Sequence, residues 1–267
     1  MMLSVVIGSY YRKRFLKLAI ESVREECRDI EHEIIVVDGG STDGTLKWLC
    51  SQKDIITILQ HNRGEWQGKE IKRRSWGYFM NLGFKCAQGK YICMLSDDCL
   101  VVPGAIRNGT ALFERSLADG KKIGAVAFYW RDWPEQKNYR VGRTLGYKLF
   151  LNHGLFLNEA IRAVGYCDEN TFFFYHADGD LSLKLWHAGH AVVAGEESYV
   201  EHYSHANMRV RASNLASQKE DWENYLKKWT GIFYDPAKGN IGDWLEKAAG
   251  RDSGMAKRFE KARFFWG

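Results

Sequence analysis

The stretch Y-I-C-M-L-S-D-D-C-L-V-V-P, Tyr91 to Pro103, decides how this chain reads. An apolar run, Tyr91 to Leu95, stops at two adjacent carboxylates, Asp97 and Asp98, before apolar chain resumes and meets Pro103. A short apolar run of this kind is the mark of a buried strand. Two like charges at its end repel each other, so something must compensate them. An arginine or lysine partner, a helix N-terminus and a divalent cation are the three chemical options. Ligation by carboxylate oxygens suits Mg2+ or Mn2+, which complete their shells with water and substrate phosphates. Zinc is disfavoured at this level, because no Cys/His set has a suitable spacing along the chain.

The preceding chain alternates strand and helix. Leu3 to Ile7 is a short β-branched run ended by Gly8-Ser9. Phe15, Leu18, Ala19, Ser22 and Val23 then recur at helical spacing. Glu33 to Val37 reads as a second strand, ending on Asp38 and the turn G-G-S-T-D-G-T. A helix over Thr45–Cys50, a strand over Ile55–Leu59 and a helix over Ser75–Ala87 lead back to the opening stretch. This alternation predicts a Rossmann-like α/β fold, a mostly parallel central sheet flanked by helices. Right-handed crossovers follow. In open sheets of this class ligands bind beyond the carboxyl ends of the strands. Here three strand ends carry polar groups: Gly8-Ser9-Tyr10, Asp38-Gly39-Gly40-Ser41 and Ser96-Asp97-Asp98. Parallel strands would bring all three to one edge. The plainer reading is that Asp and Ser cap the next helix and Gly-Gly turns the chain.

Beyond Pro103 the pattern predicts a helix over Ala105–Leu117 and a strand over Gly124–Trp130. A polar, aromatic-rich stretch, Arg131 to Lys148, contains Trp133 and Tyr139. A strand over Phe150–Leu157 holds His153-Gly154, and a short helix covers Glu159–Val164. Asp178 falls at the N-cap of a helix whose Leu181, Leu185 and Ala188 share a face. Asp180 lies in its first turn, where acids suit the dipole, and Gly189 ends it. Ala191–Ala194 reads as a last short strand, leading to His202. From Ser204 onward the chain is rich in Trp, Phe and Lys/Arg, with helices expected at Gln218–Trp229, Trp244–Ala249 and Ala256–Phe265. The only strand signal there is near Ile232.

With 267 residues and 45% hydrophobic composition, the chain suits one large domain, or one domain with an appendage. A net charge of +5 is too small to imply a nucleic-acid partner. The six cysteines, Cys27, Cys50, Cys86, Cys93, Cys99 and Cys167, form no C-x-x-C pair. A reduced, cytosolic protein is expected. The N-terminus lacks the charged region of a signal peptide, and no apolar run is long enough to span a bilayer.

Four motifs in order resemble family-2 glycosyltransferases with the A-type (nucleotide-diphospho-sugar) fold. They are S-V-V-I-G-S-Y-Y-R-K-R, I-I-V-V-D-G-G-S-T-D-G-T, the stretch from M-N-L-G-F-K to L-S-D-D, and the segment from H-G-L-F-L to H-A-D-G-D-L-S-L-K-L. The resemblance covers roughly Leu3 to His205. It implies a catalytic domain over residues 1–205, with a nucleotide-binding half, 1–103, and an acceptor-side half, 104–205. Residues 206–267 form a helical C-terminal extension. It also implies roles. Asp38 would bind the nucleobase, with Gly8, Tyr10 and Arg12 beside it and Arg74 as a further nucleotide contact. Asp97 would face ribose or metal, Asp98 would be the principal metal ligand and His202 a second. Asp178 matches the general base. His153, His176 and Trp133 are candidate acceptor contacts. Three positions depart from the family pattern: Tyr11 replaces an asparagine, Ser96 the first acid of the metal motif, and Ala177 the glutamate before the base.

The implied reaction is an inverting transfer of a sugar from a nucleotide donor, UDP-linked by resemblance, to a hydroxyl of a saccharide or lipid-linked acceptor. Mn2+ or Mg2+ would assist. Polysaccharide or glycoconjugate synthesis is the implied setting. A nucleotidyltransferase would want a glycine-rich basic loop after the first strand, and G-S-Y-Y-R-K-R is a poor one. A non-catalytic nucleotide-sugar sensor would not need Asp178. The terminal K-R-F-E-K-A-R-F-F-W combines basic and aromatic residues. Its preferred reading is a helix packed on the catalytic domain or a dimer partner. The competing one is peripheral contact with the inner face of a membrane.

Overall fold

The computed structural model describes residues 2–248 and 254–263. The chain opens with β1 (Leu3–Ser9), α1 (Lys13–Glu26), β2 (His32–Asp38), α2 (Thr45–Leu49) and β3 (Ile55–Leu59). A small hairpin of β4 (Glu65–Trp66) and β5 (Lys69–Glu70) precedes α3 (Trp76–Cys86), β6 (Tyr91–Ser96) and β7 (Cys99–Val101). Then follow α4 (Ala105–Ala118), β8 (Ile123–Asp132), β9 (Tyr139–Gly142), β10 (Gly154–Leu157) and α5 (Asn158–Ala163). The remaining elements are α6 (Ala177–His187), β11 (Ala191–His202), α7 (Met208–Leu215), α8 (Gln218–Trp229), β12 (Trp244–Lys247) and α9 (Arg258–Arg263).

One sheet runs β12-β9-β8-β10-β6-β1-β2-β3, with β11 against β8 and β7 against β11. Its four longest ladders, β11/β8, β1/β2, β1/β6 and β2/β3, are parallel. Antiparallel pairs enter where β10 inserts between β6 and β8, and at β7, β9 and β12. The parallel strands are apolar throughout because helices cover both faces, and Val5, Val6, Ile7, Ile35 and Val36 have no exposed surface. Register then fixes the edge. Ser9 lies opposite Asp38, and Gly8 lies opposite Ser96. The three polar strand ends therefore sit at one level.

Several elements differ from the expectations above. Trp244–Lys247 is a strand, not a helix, and pairs antiparallel with β9. Its alternating exposed and half-buried residues suit an edge strand, whose pairing comes from tertiary context; Ala249 lies outside the described residues. Around Ile232 the chain turns, with a single bridge from Thr230 to Tyr234. The strand expected over Ala191–Ala194 is twelve residues, Ala191–His202, with an irregularity between Gly195 and Tyr199 that hid its second half. β10 begins only at Gly154, whose φ of +143° and close approach to the Val126 carbonyl admit no side chain. That glycine serves sheet packing rather than ligand access.

Beyond β11 the chain returns to the core. Tyr225 and Trp229 of α8 are buried with Leu145, Phe172, Ala177 and Leu183. Burial of large side chains like these stabilises by roughly 1.5–3 kcal/mol each. Phe259 of α9 is fully buried against Phe15, Tyr203 and Trp133, while Arg258 pairs with Glu25 of α1. The described part of the basic-aromatic terminus thus packs on α1; residues 264–267 lie outside it. Among the described residues, no helix is long and apolar enough to cross a membrane.

Candidate active site

The strand-end acids are compensated first by an arginine. Arg12, between β1 and α1, places Nη1 2.8 Å from Asp97 Oδ1 and 2.8 Å from Asp98 Oδ2. One guanidinium serves two carboxylates, so a net negative charge remains. Burial pushes Asp97 up to about 6, with Arg12 pulling it down and the charge of Asp98 adding to the rise. Burial pushes Asp98 upward too, but Arg12 and His202 outweigh it and hold it well below the carboxylate range. The other oxygens, Asp97 Oδ2 and Asp98 Oδ1, are buried without a hydrogen-bond partner. Such groups are costly, and each needs an explanation.

Asp98 Oδ1 faces His202 Nε2 across 3.5 Å. His202 Nδ1 is hydrogen-bonded to Asp132 Oδ1 at 2.5 Å, which turns Nε2 toward Asp98. Burial lowers the His202 pKa, but the charge of Asp98, the hydrogen bond to Asp132 and the charge of Asp132 raise it to about 9. His153, close by, is pushed down to about 3, mainly by burial and secondarily by His202. An unmatched carboxylate oxygen facing an imidazole that a second carboxylate orients is a donor arrangement suited to a divalent cation. The residues present fit such an ion.

Two adjoining cavities open at this edge. Gly8, Tyr10, Gly39, Arg63, Arg73 and Asp97 line the first. Asp98, Asp132, His153, His176, Asp178 and His202 line the second, whose volume is about 400 Å³. That is the size of a small-molecule site. Arg12, Ser96, Trp76 and Asn214 wall both.

Asp178 sits in the first turn of α6 rather than at its N-cap; His176 is the cap, with φ of +64°. Asp178 Oδ2 accepts a hydrogen bond from Asn152 Nδ2 at 2.8 Å, and Oδ1 accepts one from the Gly179 amide at 2.8 Å. Each oxygen keeps a lone pair for the cavity. The loop before it is held from behind. Asp221 of α8 accepts hydrogen bonds from the amides of Phe173, Phe174 and Tyr175 at 2.7–2.9 Å. His176 stacks on Tyr225, 5.1 Å between ring centroids. Asp180 points away from the cavity, taking Lys228 and the Trp229 indole N–H.

The structure brings Gly8, Tyr10, Arg12, Arg74 and Asp97 to the first cavity, and Asp98, His153, His176, Asp178 and His202 to the second. Arg74 lies over the Tyr78 ring. Two expected residues are not brought there. Asp38 is wholly buried, and its carboxylate accepts from the Gly40 and Ser41 amides and the Ser41 hydroxyl, so the turn consumes it. Its neighbour Gly39 lines the cavity instead, packed so close to the Tyr10 ring that a Cβ would meet it at 2.9 Å. Trp133 is not at either cavity; it packs on Tyr203 and Phe259. Sequence reasoning missed Asp132, Asn152, Arg63, Asn214 and Asp221. Asp132 ends an apolar strand, as Asp38 and Asp97 nearly do, and that signal was available. The others carry no local pattern.

Acids at the carboxyl edge of a mostly parallel sheet, beside a cavity walled by arginines, stand where open α/β sheets take their ligands. Residues 4–177 match Glycosyl transferase family 2, and the chain belongs to that family. It is 31% identical over 118 residues to an uncharacterized glycosyltransferase of Nostoc sp., covering 43% of this chain and 34% of that one. To an uncharacterized glycosyltransferase of Mycoplasma genitalium it is 28% identical over 137 residues, covering 50% and 43%. The chain thus matches less than half the length of these relatives. Among solved structures, S. aureus TarS 1-349 shares the fold with a TM-score of 0.59 and 14% identity, covering 87% of this chain and 73% of that one. A mannosyltransferase from Pyrobaculum calidifontis, in complex with GDP-Man and Mn2+, gives a TM-score of 0.57 at 18% identity, covering 98% and 70%.

Proposed function

We propose that this protein transfers a sugar from a nucleoside-diphosphate donor to a hydroxyl acceptor, with inversion at the anomeric carbon. One observation carries the reading. Two unmatched carboxylate oxygens, on Asp97 and Asp98, stand at the strand ends, and Asp178 lines the same cavity as Asp98. The first cavity suits the nucleoside, with Tyr10 and Gly39 for its base and Arg73 and Arg74 for anionic groups. Asp98 and His202 would hold a divalent cation, which supplies charge neutralisation to the departing diphosphate. A TarS structure in complex with UDP-GlcNAc and the GDP-Man-bound mannosyltransferase support this donor class. UDP is the favoured carrier by family resemblance.

Asp178 takes the proton of the attacking hydroxyl, a contribution typically worth about 10²–10⁴-fold. Asn152 fixes the direction of its carboxylate. Attack on one face as the diphosphate leaves the other inverts the centre. Val210 and Asn214 of α7 line the donor cavity. The acceptor is a saccharide or lipid-linked hydroxyl compound, and the setting glycoconjugate synthesis.

The test is a melting-temperature panel of nucleoside diphosphates with and without divalent cations. Saturating ligand at about 100 times its Kd stabilises the folded state by about 2.7 kcal/mol. A cation-dependent rise with one nucleotide is expected. No rise with any nucleotide would contradict the reading.

A further inference from the structure

Trp130 and Arg140 line the second cavity and not the first. Antiparallel register places Trp130 of β8 opposite Arg140 of β9. Directly paired residues send their side chains to the same face. The Arg140 guanidinium accordingly lies 4.5 Å from the Trp130 ring centroid, and it lies 4.1 Å from that of Trp244 on β12. The two indoles stand at 83° to each other and hold the guanidinium between a wall and an edge. Among the described residues, its one carboxylate contact runs from Nη2 to Asp132 Oδ2 at 3.4 Å, longer than a charge-assisted pair normally is. Glu246, opposite Arg140 on β12, accepts from Asn138 instead. Arg140 Nε and Trp130 Nε1 are both buried with no hydrogen-bond partner.

We infer that Arg140, held by Trp130 and Trp244, binds an oxyanion carried by the acceptor, a carboxylate or a phosphate, so that the acceptor is an acidic saccharide rather than a neutral one. The inference rests on the transfer reading, whose acceptor it makes more specific. Asp178 lines the same cavity as Arg140, so a hydroxyl at the base and a charge at the arginine belong to one ligand within about 400 Å³. The acids of that cavity are already matched. Asp132 pairs with His202, which its surroundings keep protonated, and Asp98 pairs with Arg12. The charge of Arg140 is left over. Burial outweighs Asp132 and Glu246 and holds its pKa below the ordinary arginine value, though the group stays charged. A guanidinium offers only donors, and an oxyanion offers only acceptors. The indole flanks restrain the side chain, so little rotamer freedom remains to be lost on binding. The donor diphosphate has its own arginines, Arg73 and Arg74, at the first cavity.

The test first saturates the chain with Mn2+ and the nucleoside diphosphate that the melting panel selects, so that the donor's anion sites are full. Three probes that differ only at C6 are then titrated calorimetrically: methyl β-glucoside, methyl β-glucuronide and methyl β-glucoside 6-phosphate. At least one charged probe should bind about tenfold or more tighter than the neutral one. The tighter of the two names the source of the oxyanion. Arg140→Gln should bring the charged probes to the affinity of the neutral one while the nucleotide-dependent melting shift persists. Arg140→Lys, which keeps the charge without the fork, should retain part of the preference. If Arg140→Gln does not fold, Trp244→Leu, at a 45% exposed position, removes one flank and should weaken the charged probes alone. Equal affinity for all three probes, or no binding by either charged probe, would overturn the inference. So would a preference that survives Arg140→Gln, or an Arg140→Gln protein that loses nucleotide affinity, which would assign the arginine to the donor. No melting shift with any nucleotide in the unmutated chain would sink the transfer reading and this inference with it. A nucleotide shift without preference for a charged probe would sink this inference alone.

Discussion

Two groups of buried acids can be set side by side. Asp97 and Asp98, at the end of β6, share one arginine nitrogen and leave two oxygens without a hydrogen bond, one of them 3.5 Å from His202. Asp180 and Asp221, on α6 and α8, are as deeply buried and leave none. Asp180 takes Lys228 and the Trp229 indole, and Asp221 takes three backbone amides. The first pair is short of partners and faces cavities; the second is saturated and faces protein. Burial of an acid therefore does not mark a working site. Spare valence does.

Breaking the working side should cost activity. Asp178→Asn keeps the shape but loses the basicity, and donor turnover should fall by about 10²–10⁴-fold while the nucleotide-dependent melting shift persists. Turnover within tenfold of the unmutated enzyme would remove Asp178 from its role as base. Breaking the saturated side should cost stability. Asp221→Ala strands three amides, and denaturant unfolding should show a loss of about 3–5 kcal/mol. Asp221→Asn, which keeps an acceptor oxygen, should lose less. A loss below about 1 kcal/mol for the alanine variant would mean that water replaces the carboxylate.

A smaller effect separates the partners of Lys228. Burial alone would raise Asp168, but hydrogen bonds from Lys228, Thr171 and Asn170 lower it below the ordinary range. A depressed carboxylate pKa adds stability above its unfolded value of about 4, which is lost as pH falls through the folded value. Asp180 shifts the other way, because its burial outweighs Lys228. Lys228→Met should therefore melt lower than the unmutated protein at pH 7, with the gap narrowing as pH drops below about 4. A gap independent of pH would show that the lysine acts through packing alone. Smallest of all, Arg258→Ala breaks an ion pair with Glu25 that is 28% and 47% exposed at its two ends. Unfolding should change by no more than about 1 kcal/mol.

The same contrast explains what the sequence made legible. β1, β2 and β6 are apolar runs because both faces are covered, so their ends, and the acids on them, stood out. Asp98 and Asp178 were readable as carboxylates following or opening such elements. Asp38 looked equivalent, yet its charge is spent inside its own turn, a difference of local geometry that residue type does not carry. β12 was misread because W-L-E-K has no apolar run, and only β9 makes it a strand. His153 and His202 were each visible, but their meeting beside Asp98 depends on register between β7 and β11 and on β10 inserting antiparallel. Asp221 acts from a segment that read as an extension, while its three amide donors lie about fifty residues earlier.

The most direct test of the spare-valence claim is calorimetric titration of one nucleoside diphosphate, with a divalent cation present, into three proteins: unmutated, Asp98→Asn and Asp221→Asn. The account predicts that Asp98→Asn loses the cation-dependent part of the affinity. It predicts that Asp221→Asn, kept below its melting temperature, binds as the unmutated chain does. Equal nucleotide affinity in the unmutated and Asp98→Asn proteins would contradict it.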